Sequence, residues 1–233
     1  MCNSLALGNA TEKSDIDLFI ITEAKRLASA RFCLKILTQL FGMRVHHKKV
    51  AGRFCLSFFV TEDNLNLKEL AFPFDPHFAS FAATMVPFVG PLSVEKFFRD
   101  NEAWILPYFG NFHSPQFPRN FCSPALRACQ VFIEKILGLF GPNLGKRLFQ
   151  WQLRRDRDLE KNSSPKTGGI VMEPDIFKFH INDTRQEVSR RFLDTYRRVS
   201  VSGNSHKTQF RSQKFEFAVG SEFCGSSSIQ NSI

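Results

Sequence analysis

A strand–helix–strand pattern near the start of the chain limits its fold more than any other feature of the sequence. Residues 16–22 form a nearly continuous apolar run, which is typical of a buried strand. Apolar residues then recur at helical spacing over residues 23–41, and Gly42 provides a natural end for that helix. A second apolar run of strand length covers residues 54–60. Two strands joined by a helix predict an α/β (α+β) fold with a small sheet and flanking helices.

Two acidic residues stand at the entrance to the first of these strands. Asp15 and Asp17 are two positions apart, so their side chains leave the same face of an extended chain. Carboxylates held close together repel each other unless a cation lies between them, and such hard oxygen ligands suit Mg²⁺ or Mn²⁺ carrying a triphosphate. The segment from Ser4 to Gly8 lies upstream, where a hydroxyl and backbone N–H groups would meet phosphate oxygens. These residues predict a site for a metal–nucleotide complex.

The order of these residues resembles the DNA polymerase beta-like nucleotidyltransferase superfamily, in particular its small, single-domain bacterial members. That family has Gly-Ser, a glycine a few residues later, and Ser-Asp-x-Asp-Leu leading into an apolar strand. The matching positions in this chain, in order and spacing, are Ser4, Gly8, Ser14, Asp15, Asp17 and Leu18. A bare Asp-x-Asp pair is common at strand starts, whereas the joined pattern is much more specific. The resemblance covers residues 3–60, and the rest of the chain is only compatible with it.

The resemblance implies a reaction and a set of roles. Asp15 and Asp17 would bind the metal ions as the catalytic pair, while Ser4, Gly8 and Ser14 with nearby backbone would hold the nucleotide. The implied enzyme is a transferase that moves a nucleoside monophosphate from a nucleoside triphosphate to an acceptor hydroxyl by two-metal catalysis. The acceptor stays open between a small molecule, an RNA end and a protein side chain.

Three departures from the family pattern keep a second hypothesis open. Asn3 stands where the family has glycine, and Ser4 lies so near the first residue that the strand and helix usually preceding it are missing, as in an N-terminally truncated member. The family's third carboxylate, carried on a later strand, has no counterpart in residues 53–60, and Glu62 and Asp63 lie just past that strand. The alternative is a catalytically inactive relative that binds nucleotide or a partner protein.

Beyond residue 64 the patterns become helical. Helices are predicted, in order, over residues 65–83 and 93–106, over 124–160 with a break at Gly141-Pro142, and after Asp183 as a cap. From residue 200 onward the chain is rich in Ser and Gly without periodicity, which predicts disorder. The expected organisation is a partial nucleotidyltransferase-like core in residues 1–64, a helical region in 65–199 and a disordered tail in 200–233.

Charge and hydropathy indicate which kinds of binding partner and which cellular compartment to expect. The formal net charge of +9 attracts anions, so a basic nucleic-acid-binding protein is a third hypothesis. The sequence holds no clean apolar run of about 18 or more residues, and its first residues lack the pattern of a signal peptide. The six cysteines show no C-x-x-C pairing. These features predict a cytoplasmic protein with reduced thiols and no membrane association.

Overall fold

The fold is a mixed four-stranded sheet with flanking helices, in a computed structural model that describes residues 2–45, 49–87, 91–114, 124–139, 142–162, 169–179 and 183–202. Within these ranges the strands are β1 (Ile16–Thr22), β2 (Phe54–Thr61), β3 (Ile170–Met172) and β4 (Ile176–Phe179). The helices are α1 (Asn3–Ala6), α2 (Leu27–Leu40), α3 (Pro76–Ala83), α4 (Pro91–Ile105), α5 (Pro124–Leu139), α6 (Pro142–Asn162) and α7 (Arg185–Ser202), with a 3₁₀ helix at Lys68–Leu70.

The sheet has the strand order β1-β2-β4-β3. Strands β1 and β2 are parallel, and α2 forms the crossover between them, as the strand–helix–strand pattern predicted. Strand β4 then pairs with β2 in the antiparallel direction, and β3 pairs with β4, also antiparallel. The predicted mixed α+β class, with flanking helices and a helical C-terminal part, is confirmed.

Strands β3 and β4 lie within residues 65–199, a region for which only helices were predicted. The two strands are three and four residues long, too short for a periodic pattern to reveal them in the sequence. Their stability comes from partners distant in the chain, because β4 fills the free edge of β2, where Thr61 donates its backbone N–H to the carbonyl of Asp175 over 3.0 Å. The sheet therefore contains strands from both sides of residue 64, the predicted boundary between the core and the helical region.

Two apolar layers cover the faces of the sheet. Phe19, Phe58 and Val60 pack with α3 and α4 on one face, in the larger core. Phe59 and Phe177 pack on the other face, against α2. Neighbouring residues of a strand pack in opposite layers, because successive side chains alternate between the two faces of the strand.

Helix α6 docks on α2 through a buried polar group as well as through apolar contacts. The guanidinium of Arg31, which is 2 % exposed, donates to Asp156 Oδ2 over 2.9 Å and also to Gln152. It lies over the ring of Phe177 at 3.4 Å from the ring centroid. A buried guanidinium needs such partners, since an unpaired charge in the interior is costly.

The helix boundaries differ from the predicted ones where capping residues intervene. The predicted helix over residues 65–83 is divided, because Asp75 accepts a hydrogen bond from the backbone N–H of Phe78 and Pro76 starts α3 as a separate helix. Helix α5 ends at Leu139 and α6 begins at Pro142, and Gly141 of the predicted break lies outside the described residues.

Most of the predicted disordered tail, residues 203–233, lies outside the described residues. In the ranges that the structure describes, no helix is both long enough and apolar enough to cross a membrane, in line with the hydropathy of the sequence.

Candidate metal and nucleotide site

Asp15 and Asp17 lie at the amino end of β1, and β2 brings Cys55 beside them. Asp17 is the second residue of β1 and is paired in register with Cys55. One carboxylate oxygen from each aspartate and the Cys55 sulfur all lie within 4.8 Å of one another, and all three residues are half-buried. The predicted carboxylate pair is thus brought together, with a thiol as an unexpected third member.

An irregularity in β2 gives Cys55 its position. Asp17 and Phe19 are two residues apart on β1, but their partners on β2, Cys55 and Phe58, are three apart. In a regular strand Cys55 and Phe58 would point to opposite faces, and the extra residue of the bulge places both on the face of Asp17 and Phe19. Phe58 then packs against Phe19 with ring centroids 5.0 Å apart, while Cys55 reaches the carboxylates.

Burial and mutual repulsion determine the protonation of this group. Burial raises the pKa of Asp15, and the charge of Asp17 raises it further, against an opposing hydrogen bond from the Cys55 thiol. Burial also raises the pKa of Cys55, to about 12, and the two carboxylates add to that shift. The thiol is therefore protonated near neutral pH unless a cation replaces its proton. A bound divalent ion would relieve the repulsion between the carboxylates.

Asn3 connects the first turn of the chain to Asp17. Its Nδ2 donates a hydrogen bond to Asp17 Oδ2 over 2.9 Å, and the backbone N–H of Cys2 donates to the Asp17 carbonyl over 3.2 Å. The φ angle of Asn3 is +54°, in the left-handed region that favours glycine and that asparagine tolerates better than most residues. Asn3 therefore adopts this backbone conformation and also donates a hydrogen bond to the Asp17 carboxylate.

The residues expected to hold the nucleotide all precede β1: Ser4 lies in α1, and Gly8 and Ser14 lie in the turns between α1 and β1. The carbonyl of Ser4 accepts a hydrogen bond from the backbone N–H of Asn9 over 3.0 Å. Gly8 has a φ of +69°, and a Cβ at that position would meet open space, so the backbone angle and not crowding favours glycine. The Ser14 hydroxyl accepts from the backbone N–H of Thr11 over 2.9 Å and closes the turn. Nucleotide contacts of these residues stay predictions.

Glu62 and Asp63 do not supply a third carboxylate to the pair. They lie just past β2, at its carboxyl end, where the backbone N–H of Glu62 donates to the Thr22 carbonyl over 2.9 Å. Thr22 is five residues beyond Asp17 on β1, which corresponds to about 16 Å of extended chain. Such a separation is too wide for two ligands of one cation, each about 2.0–2.6 Å from the metal. Among the described residues, Cys55 is the side chain that joins the carboxylate pair, and neither Glu62 nor Asp63 does.

The sequence did not indicate two parts of this site. Cys55 carried no signal of its own, because its position depends on the strand register and on the bulge. The second part is a cavity of about 280 Å³ that Asn3 and Ser4 line together with Lys178 and Arg185. Lys178 and Arg185 belong to β4 and α7, so their place beside Ser4 depends on the long-range pairing of β4 with β2.

Comparison with protein-family models, with curated proteins and with solved structures finds no match to this chain. The nucleotidyltransferase resemblance rests on the motif in residues 3–60.

Proposed function

We propose that this chain binds a divalent cation and a nucleoside triphosphate at Asp15 and Asp17, and that it transfers a nucleoside monophosphate to an acceptor hydroxyl. The observation that carries the proposal is the convergence of two carboxylates and a thiol within 4.8 Å at the amino end of β1. The turn with Asn3 and Ser4 lies directly beside this group, because Asn3 contacts Asp17. This arrangement agrees with the order of the motif residues in the sequence.

In the proposed reaction, the cation stabilises the negative charge that develops on the phosphates. A divalent ion on the two carboxylates would polarise the α-phosphate and stabilise the departing pyrophosphate. The acceptor oxygen forms a bond to the α-phosphorus, the bond from that phosphorus to pyrophosphate breaks, and the hydroxyl proton passes to water. The acceptor is a small molecule, an RNA end or a protein side chain.

The third ligand atom bears on the choice of cation. Mg²⁺ prefers oxygen ligands and near-ideal octahedral geometry, whereas thiolates suit softer divalent ions. Mn²⁺ accepts oxygen ligands and, standing closer to the softer ions, tolerates sulfur better than Mg²⁺ does. We therefore propose Mn²⁺ as the better cofactor of the two, with Cys55 as a ligand once its proton has left.

A second candidate function is nucleotide binding without transfer. It is favoured by the position of Glu62 and Asp63 at the far end of the β1–β2 pair. A carboxylate that accepts the proton of the acceptor hydroxyl is typically worth about 10²–10⁴-fold in rate. Without it, turnover is slow or absent while the metal–nucleotide site remains.

The two functions are separated by incubating the full-length chain with α-labelled nucleoside triphosphates, Mn²⁺ or Mg²⁺, and cell extract as the source of acceptors. Covalent transfer of label to any component of the extract supports the transferase. Saturable nucleotide binding by calorimetry with no transfer supports the non-catalytic function.

The matched variant for this experiment is Asp17→Asn, which keeps the shape of the side chain and removes its charge. Transfer and metal-dependent binding should both be lost in this variant. Equal nucleotide affinity in the wild-type and variant chains would show that the carboxylate pair is not the site.

A further inference from the structure

The outward face of α6 carries an open groove with basic walls. Helix α6 docks on α2 through Gln152 and Asp156, and the opposite side of the helix lies at the surface. From residue 143 to residue 155, this helix has four basic residues and no acidic one. The groove has a volume of about 400 Å³, and the exposed side chains that line it are Lys146, Arg147, Gln150, Trp151 and Arg154. Such a surface attracts anions.

Helical spacing places the lining residues in two adjacent rows. Lys146, Gln150 and Arg154 are four positions apart from one another, which corresponds to about 6 Å along the helix axis for each step. Arg147 and Trp151 form the second row with the same spacing. Basic side chains therefore lie at both ends of the groove, and the indole of Trp151 lies between them.

The cations of the groove are not used inside the protein. Asp156 has 5 % of its side chain exposed, and its oxygens already accept from Arg31 and Arg155. Among the side chains that the structure describes, the three basic residues that line the groove form no ion pair with a carboxylate. An anionic ligand in the groove would therefore not compete with an internal ion pair.

Trp151 gives the groove an aromatic surface. It is 47 % exposed, although tryptophan is highly buried in most proteins. Arg155 lies over its ring at 4.9 Å from the centroid, and the ring of Phe32 lies edge-on at 6.0 Å. Both neighbours lie on the side of α2, because Arg155 also donates to buried Asp156 and Phe32 belongs to α2, and neither lines the groove. The part of the indole that borders the groove is thus available to a planar ligand.

Single-stranded nucleic acid is the partner that fits both the charge and the indole. Its phosphates suit the basic residues, and its unstacked bases suit an exposed aromatic ring. A duplex keeps its bases inside the stack, out of reach of a side chain on this surface. A membrane surface would require a whole apolar helix face, whereas Trp151 is the sole apolar residue among the described residues that line the groove.

We propose that the outward face of α6 binds single-stranded nucleic acid, with one base on Trp151 and the flanking phosphates on the basic residues of the groove. The inference goes beyond the proposed function and does not rest on it, since the groove belongs to α6 and the acidic pair lies at the start of β1. Asp17→Asn should therefore leave strand binding unchanged, so the failure of one proposal is distinguishable from the failure of the other.

Short oligothymidine and oligouridine with a fluorescent label are the probes for the full-length chain. The slope of log affinity against log salt concentration, measured by anisotropy, should be about −2, which is about −0.7 for each of three phosphates. Raising the salt concentration from about 50 to about 200 mM should then weaken binding about 20-fold. Strand binding should also quench the intrinsic fluorescence of Trp151, while Trp104 is buried and should not respond.

Two variants test the two features of the groove, and a third is the matched control. Trp151→Leu keeps an apolar contact for Phe32 and removes the stacking surface, so affinity should fall about 5- to 150-fold with the salt slope unchanged. Arg154→Gln should weaken binding and reduce the steepness of the slope by about 0.7. Arg99→Gln removes the same charge from a side chain that is 72 % exposed on α4, at the other face of the sheet, and should change neither quantity.

An unchanged affinity in a folded Trp151→Leu variant would overturn the inference, as would equal effects of Arg99→Gln and Arg154→Gln. Inorganic polyphosphate that binds as tightly as the oligonucleotides would indicate an anion site without a base and would also overturn it. Vesicles containing phosphatidylserine that bind more tightly than either strand would do the same. Oligouridine and oligothymidine distinguish RNA from DNA as the source of the strand, and saturable binding of either one with quenching of Trp151 supports the inference.

Discussion

Replacing Cys55 by aspartate should convert the site into one with three carboxylates. Cys55 is the register partner of Asp17, and its sulfur is within 4.8 Å of a carboxylate oxygen of both aspartates. Aspartate has a similar length, so its oxygens would reach the same space. Under the proposed transferase function, the substitution tests whether the absence of a third carboxylate limits turnover.

The expected gain in rate follows from the role of that group. A positioned proton acceptor contributes about 10²–10⁴-fold, which corresponds to about 2.7–5.4 kcal/mol of activation free energy. The same substitution should lower the stability of the metal-free protein, because a third negative charge is added beside two others. At 4.8 Å, each new pair of like charges repels by about 0.9 kcal/mol in water and about 3.5 kcal/mol at an effective dielectric constant of 20. Proton uptake limits this penalty, so we expect a loss of stability of about 1–3 kcal/mol.

Two assays on one variant follow both effects. Release of pyrophosphate from a nucleoside triphosphate, with cell extract as acceptor source, measures turnover. Chemical denaturation with and without Mn²⁺ measures the free energy of unfolding. The metal should restore the stability that the third carboxylate removes. Cys55→Asn is the control, because it has the same shape without the charge. If the aspartate and asparagine variants agree in both stability and rate, Cys55 does not belong to the site and the reasoning fails.

Four further predictions test other parts of the structure. Asp17→Asn should abolish metal-dependent nucleotide binding, measured calorimetrically, with the circular dichroism spectrum unchanged. Cys55→Ser should reduce the preference for Mn²⁺ over Mg²⁺, measured by competition, because the sulfur ligand is lost. Asn3→Ala should lower the free energy of unfolding by about 1–2 kcal/mol more than Asn3→Gly does, because both variants lose the hydrogen bond to Asp17 and only alanine is strained at positive φ. Burial, with the charge of Arg31, lowers the pKa of Lys35 to about 7 from 10.5. The unfolded chain then binds more protons in this interval, so stability measured by denaturation should rise from about pH 7 to 10.5, and Lys35→Met should flatten the rise.

The sequence predicted best those strands and helices whose apolar pattern matches the surface that they bury in the fold. Strand β1 matches its apolar run at both ends, and β2 extends one residue past its own. Helix α2 begins at Leu27 and not at residue 23, where the apolar spacing began. The acidic pair was recognisable because its two residues lie two positions apart at the start of one strand.

The parts that escaped prediction depend on pairing across long stretches of chain. Nothing in residues 176–179 marks them as the partner of β2, and the burial of Lys178 and Arg185 follows from that pairing. The position of Cys55 requires both the β1–β2 register and the bulge. Local periodicity contains neither, since a one-residue change of register moves every side chain to the other face.

Because of the bulge, the positions of the β2 side chains depend on the number of residues between Cys55 and Phe58. A substitution leaves that number unchanged. Removing Leu56 or Ser57 would return the strand to regular alternation, and either Cys55 would leave the carboxylates or Phe58 would leave the core. A substitution at Phe58 affects the core alone and one at Cys55 affects the site alone, whereas a single insertion or deletion between them would allow only one of the two side chains to keep its place. We therefore expect a change of length in this strand to be more damaging than a substitution at either position.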